Sequence, residues 1–125
     1  NEVRELRLLL EKDVVNLVIK NAGSEDIQIL RECYEKMNAL KYQEEKQYEV
    51  LLHYDMEFHN ILGKISKNRL LEKIYRFVMQ YFKPYIAQSL RKHTNFSLES
   101  NETHKLILEA IEARDFAAAA KAVET

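Results

Sequence analysis

The chain has 125 residues, 46% of them hydrophobic and 31% charged, with a formal net charge of −1. That suits one domain with a real core and lacks the clustered basic excess of a nucleic-acid-binding surface. No apolar run approaches the roughly 18 residues a membrane span needs, no signal-peptide pattern opens the chain, and the single cysteine, Cys33, excludes an internal disulfide and fits a reducing, cytoplasmic setting.

Two glycines and one proline are too few for a turn-dense β fold. Good helix formers abound, so the chain is expected to be all-α, an antiparallel bundle of about six helices joined by short loops. The first helix is expected over about Glu2 to Asn21, stopped by Gly23. Leu6, Leu10, Val14 and Leu17 form one stripe on it, and Leu8, Val15 and Ile19 lie roughly opposite. A helix apolar on two sides is either central or covered by a second subunit, so a homodimer is one expectation. Ser24 is the expected cap of the second helix, with Glu25 and Asp26 in its first turn and Ile27, Leu30, Tyr34 and Met37 inward. Cys33 lies at the edge of that stripe and suits a small core residue better than a nucleophile.

A third helix is expected from near Gln43 to about Gly63, and a fourth capped by Ser66, with Leu70, Leu71, Ile74, Phe77, Val78 and Tyr81 inward. Pro84 should kink or restart it. His93 to Glu99 suggests a loop, Ser100 the cap of a helix ending near Ala113, and Asp115 the cap of a last helix from Phe116.

The third helix carries the chemistry. Asp55 and His59 are four residues apart, one turn apart on one face, among Tyr48, Leu51, Leu52 and Leu62. A carboxylate and an imidazole on an apolar stripe are costly to bury unless paired, hydrogen-bonded or bound to a metal. His104 repeats the pattern on another helix, beside Ile107, Leu108 and Ile111. Asp55, His59 and His104 would make a ligand set for a divalent metal, with two ligands at i and i+4 and a third from a facing helix. The alternative is a hydrogen-bonded core network: Asp55 with His59, or Asp55 with an arginine. His53 and His93 suit the surface. There is no Gly-rich phosphate loop, no Gly-x-Ser-x-Gly elbow, no His-Glu-x-x-His and no Glu-x-x-His of di-iron bundles.

The stretch Asp55-Met-Glu-Phe-His59 followed by Ser66-Lys-Asn68-Arg-Leu-Leu71 resembles the D-x-x-F-H … S-G-N-x-L-L signature of the FCD domain, the C-terminal effector-binding domain of FadR-subfamily GntR-type transcription regulators. Val3 to Glu11 is similar to that domain's opening R-x-x-L-E helix, and His104 to Ala120 to its closing segment. Lys67 stands where that pattern has Gly, and Thr103 where Glu commonly precedes the His.

The resemblance implies a ligand-sensing domain and no enzyme. Asp55, His59 and His104 match the first three residues of a family set that holds a divalent metal, zinc foremost, with nickel or another transition metal as alternatives. The fourth, a histidine, is expected directly after Thr125. The implied effector is a small carboxylate, with Arg7 and Asn68 as candidate ligand-binding residues, and operator DNA would be bound only through an N-terminal winged-helix domain absent from these residues. The competing reading is a metal-free helical scaffold whose Asp and His form a structural network. A metalloenzyme is the weakest reading, because no clear general base accompanies the set.

Overall fold

A computed structural model of the chain describes residues 2–40, 48–92 and 96–124, without the side chains of 48, 89–92 and 96–100. Six helices follow one another: α1 (Glu2–Asn21), α2 (Ser24–Leu40), α3 (Tyr48–Ile65), α4 (Arg69–Lys92), α5 (Phe96–Ala113) and α6 (Phe116–Glu124). No strand occurs among the described residues. The helical bundle is the one that composition and periodicity predict.

Local chemistry sets most helix ends, though not always with the expected residue. The cap of α2 is Gly23, not Ser24. The Gly23 carbonyl accepts the Ile27 N–H at 3.1 Å, and the Asp26 carboxylate reaches back to the Gly23 N–H at 2.9 Å, half of a capping box. Gly23 has no positive φ, so it opens α2 rather than closing α1 through a left-handed turn. Asn68, not Ser66, caps α4 by accepting the Leu71 N–H at 2.9 Å. Ser66 instead closes α3, its hydroxyl donating to the Gly63 carbonyl at 2.6 Å. Asp115 caps α6 as expected, accepting the Ala118 N–H at 3.0 Å.

Two helices end on a non-glycine residue in the left-handed region, Lys67 at φ 63° and Arg114 at φ 52°. After α5, the Arg114 N–H bonds Ile111 O at 3.0 Å and the Asp115 N–H bonds Ala110 O at 2.9 Å, the pair of bonds of a Schellman ending. The turn aims Arg114 across to α1. Its guanidinium donates to Ile19 O at 2.6 Å and Ala22 O at 2.7 Å, satisfying carbonyls at the end of that helix. Lys67 ends α3 in the same conformation and pairs with Asp26 at 3.1 Å.

Three boundaries differ from the sequence expectation. α3 runs through Gly63 to Ile65. The glycine permits a close approach instead, since a Cβ there would lie 3.4 Å from Tyr75 Cδ2 on α4. α4 continues through Pro84, and α5 has already begun at Phe96, where a loop was expected. The expected start of the third helix near Gln43 and the placement of His93 lie outside the described residues.

α1 is the central helix. It packs against α3, α4, α5 and α6, while α2 lies against α3 and α5. Its buried face is Glu11, Val14, Val15, Val18 and Ile19, so the expected Leu6 position is a correction: Leu6 and Leu9 are exposed. α1 and α4 run antiparallel, because Arg7 stacks on Phe82 near one end while Leu17 neighbours Leu70 and Leu71 near the other. α4 is rotated from the expected orientation. Tyr75, Val78, Met79 and Ile86 are buried, whereas Leu70, Ile74, Phe77, Tyr81 and Tyr85 face outward. Cys33 is a buried free thiol against the Tyr54 carbonyl, and burial pushes its pKa up to about 12, consistent with a core residue.

Candidate metal centre

Asp55, His59 and His104 come together in the bundle core, all three buried. The i, i+4 spacing on α3 brings His59 Nε2 within 3.4 Å of Asp55 Oδ1. α5 delivers His104 Nε2 to the same oxygen, also at 3.4 Å. One ligand atom from each residue lies within 4.8 Å of the others. Ligands about 2.1 Å from a tetrahedral metal stand roughly 3.4 Å apart, so both nitrogen–oxygen separations suit a shared cation. Phe58 packs on His104 with ring centroids 4.6 Å apart and helps exclude water from the cluster.

Two residues outside the expected set complete the arrangement. Glu11, at the middle of the buried face of α1, places Oε1 3.2 Å from His59 Nδ1. The Tyr75 hydroxyl, from α4, lies 2.7 Å from the same nitrogen. With acceptors on that side, Nδ1 carries a proton, which leaves Nε2 as the nitrogen that faces Asp55. A metal-binding imidazole is held in this way, its other nitrogen donating to a carboxylate or hydroxyl oxygen. Glu11 had a signal in the sequence: it shares a face with Val14, Val15 and Val18, the same kind of polar group on an apolar stripe that marks Asp55. Tyr75 had none beyond the general aromatic content of its helix.

Burial disfavours every charge here, yet the mutual interactions prevail. Burial pushes the Asp55 carboxyl up, but His104 and His59 hold it well below the ordinary carboxylate range. Burial likewise opposes ionisation of Glu11, and His59, Arg7 and His104 more than offset it. His59 is pushed down by burial and up by Glu11 and Asp55, ending raised to about 9. Burial, with Glu11 nearby, keeps the Tyr75 phenol neutral well above its usual range.

Two further observations bear on a metal. His104 Nδ1 is buried with no hydrogen-bond partner among the described residues, so Nε2, which faces Asp55, is the nitrogen that is available to a cation. The donor set of two imidazoles and a carboxylate is also the chemistry that zinc and nickel accept. The residues present therefore fit a divalent metal.

Arg7 joins the edge of this site. Its Nε lies 3.2 Å from Glu11 Oε2, and its guanidinium stacks 4.8 Å above the Phe82 ring. Asn68 does not join it. It is exposed at the start of α4, with its side-chain oxygen engaged in the cap.

An all-α bundle whose core gathers two histidines and a carboxylate from facing helices belongs to the class of helical bundles that build a polar centre inside a helical shell. Residues 2–125 match the family model of the FCD domain. The chain belongs to the FCD domain family, as the signature around Asp55, His59 and Asn68 implies. Among solved structures it is similar to a Streptococcus agalactiae GntR, with 28% identity and a TM-score of 0.72 over 98% of this chain. The match covers 53% of that protein, so the chain spans about half its length. No curated protein matches. Among the described residues, no helix is long and apolar enough to cross a membrane.

Proposed function

We propose that the chain is the effector-sensing domain of a GntR-type transcription regulator, and that it binds a small organic acid at a divalent metal held by Asp55, His59 and His104. The observation that carries this is Asp55 Oδ1 shared by Nε2 atoms of two buried histidines from different helices. The bound metal would supply Lewis-acidic positions that accept an effector carboxylate. Glu11 and Tyr75 hold His59 in the tautomer that presents Nε2. Asp55 neutralises part of the added positive charge. Arg7, tied to Glu11 yet partly open, is the side chain suited to a charge-assisted hydrogen bond with the effector. Asn68 serves this reading by fixing the start of α4, and its ligand-contacting role would need the effector to reach that helix end.

Signalling requires that effector binding favour one helix arrangement over another. The core cluster ties α3 to α1, α4 and α5 through single side chains, so a ligand there acts on four helices at once. DNA contact belongs to a winged-helix domain of the full regulator, and the cytoplasmic setting follows from that role.

The purified chain should contain close to one equivalent of metal. Chelation should lower its melting temperature and added zinc restore it, because metal binds the folded state alone; saturation about 1,000-fold above Kd is worth about 4 kcal/mol. Asp55→Ala and His104→Ala should each lose both metal and the chelator response. Metal content and melting temperature indifferent to chelation and to both substitutions would defeat the proposal. The competing metal-free scaffold draws on one observation, that Arg7, Glu11, His59 and Asp55 already form an alternating-charge chain. It predicts no metal and no stabilisation by small carboxylates.

A further inference from the structure

Asn101 on α5 is a buried polar residue that belongs neither to the metal set nor to a helix cap. It is 3% exposed, as is His104 three residues later, and the two share a face of α5 one turn apart. Its Nδ2 donates to Asn38 Oδ1 of α2 at 2.9 Å, which fixes how the amide is turned. The other end, Asn101 Oδ1, is buried with no hydrogen-bond partner among the described residues, and so is His104 Nδ1. Buried polar atoms nearly always have a partner, and these two are complementary. The amide oxygen only accepts. Nδ1 is the His104 nitrogen turned away from Asp55, which Nε2 faces at 3.4 Å. A long side chain on a helix leans toward the N-terminus over the preceding turn, so the His104 ring is carried toward the turn that holds Asn101.

We propose that Asn101 is a positioning residue for the metal centre. Its Oδ1 accepts the proton of His104 Nδ1 through one bridging water, and so holds that imidazole in the tautomer that offers Nε2 to the metal. The two atoms are not bonded to each other directly, and one water between an N–H donor and a carbonyl oxygen satisfies both. His59 shows the same arrangement within the same site. Its Nδ1 faces Glu11 and the Tyr75 hydroxyl while its Nε2 faces Asp55, and metal-binding imidazoles keep such an outer partner. With Asn101 each histidine of the set has one, a carboxylate from α1 for His59 and a neutral amide from its own helix for His104. Because the amide is held by Asn38, the support extends to α2, a helix with no side chain among Asp55, His59, His104, Glu11 and Tyr75. The inference rests on the reading of Asp55, His59 and His104 as a metal site.

Zinc binding by the chain, measured by competition with a chromogenic chelator, tests it together with nitrogen-15 NMR of the histidine rings. Zinc-loaded wild type should show His104 protonated on Nδ1. Asn101→Leu keeps the bulk but removes the acceptor. It should weaken zinc binding about 10- to 100-fold and lose the protected Nδ1–H signal of His104. Should that variant fail to fold, Asn101→Ala should show the same loss. Asn101→Asp retains the acceptor and should bind zinc at least as tightly as wild type. Asn38→Ala breaks the same α2–α5 hydrogen bond but spares the acceptor, so it should lose less affinity than Asn101→Leu. A residue that merely links α2 to α5 would give equal losses in those two variants. That result, unchanged affinity and an unaltered His104 signal in Asn101→Leu, or Asn101→Asp binding as weakly as Asn101→Leu would each overturn the inference while the metal site stands. A wild type that binds no zinc would overturn the metal reading itself, and this inference with it.

Discussion

His59 Nδ1 stands 3.2 Å from Glu11 Oε1, a contact between α3 and the central α1 in which both side chains are almost wholly buried. It fixes which imidazole nitrogen faces Asp55, so the chemistry of the cluster depends on a residue that is not itself in the ligand set. Glu11→Gln keeps an acceptor of the same shape but removes the charge. Metal affinity, measured by competition with a chromogenic chelator, should fall about 10- to 100-fold. Unchanged affinity would show that Glu11 is only a packing residue.

The metal-free protein should have a stability maximum between mildly acidic and neutral pH. Asp55 and Glu11 are held below their ordinary values of 3.8 and 4.5, so their contribution is present above those values and lost as pH falls. His59 is raised from 6.5 to about 9, so its contribution is complete below 6.5 and lost as pH rises through about 9. Chelated protein unfolded with urea from pH 4 to pH 10 should show both flanks. Metal uptake near pH 7 should release about one proton, because His59 must become neutral to bind. A flat profile on the alkaline side would show that His59 is not protonated in the metal-free fold.

The two left-handed residues should respond oppositely. Lys67 holds φ 63° with only a half-exposed ion pair to Asp26 in return. Lys67→Gly should therefore stabilise by about 0.5–1 kcal/mol, the relief of the strained conformation less the added chain entropy. Arg114 pays the same strain but donates to two carbonyls at the end of α1. Arg114→Ala keeps the strain and strands those carbonyls, and should cost about 2 kcal/mol. Chemical denaturation of both variants measures the contrast.

What the sequence determined by itself was whatever nearest neighbours along the chain decide. Six helices follow from composition and periodicity, and the start of the last at Phe116 from the cap signal of Asp115. The Asp55–His59 face follows from the i, i+4 geometry of one helix, and the FCD signature was visible in the same residues. Where a cap was misplaced, at Ser24 and Ser66, the competing residue lay within two positions and the backbone chose between near-equivalent hydrogen bonds. Tertiary structure alone decided which side of an ambiguous helix turned inward. α4 has large apolar residues around much of its circumference, so periodicity could not tell the Tyr75–Met79 side from the Leu70–Phe77 side. Contact with α1 and α3 made that choice. It brought Tyr75 and Glu11 to His59 and left Phe77 facing solvent, because burial is a property of what a helix packs against and not of the helix itself.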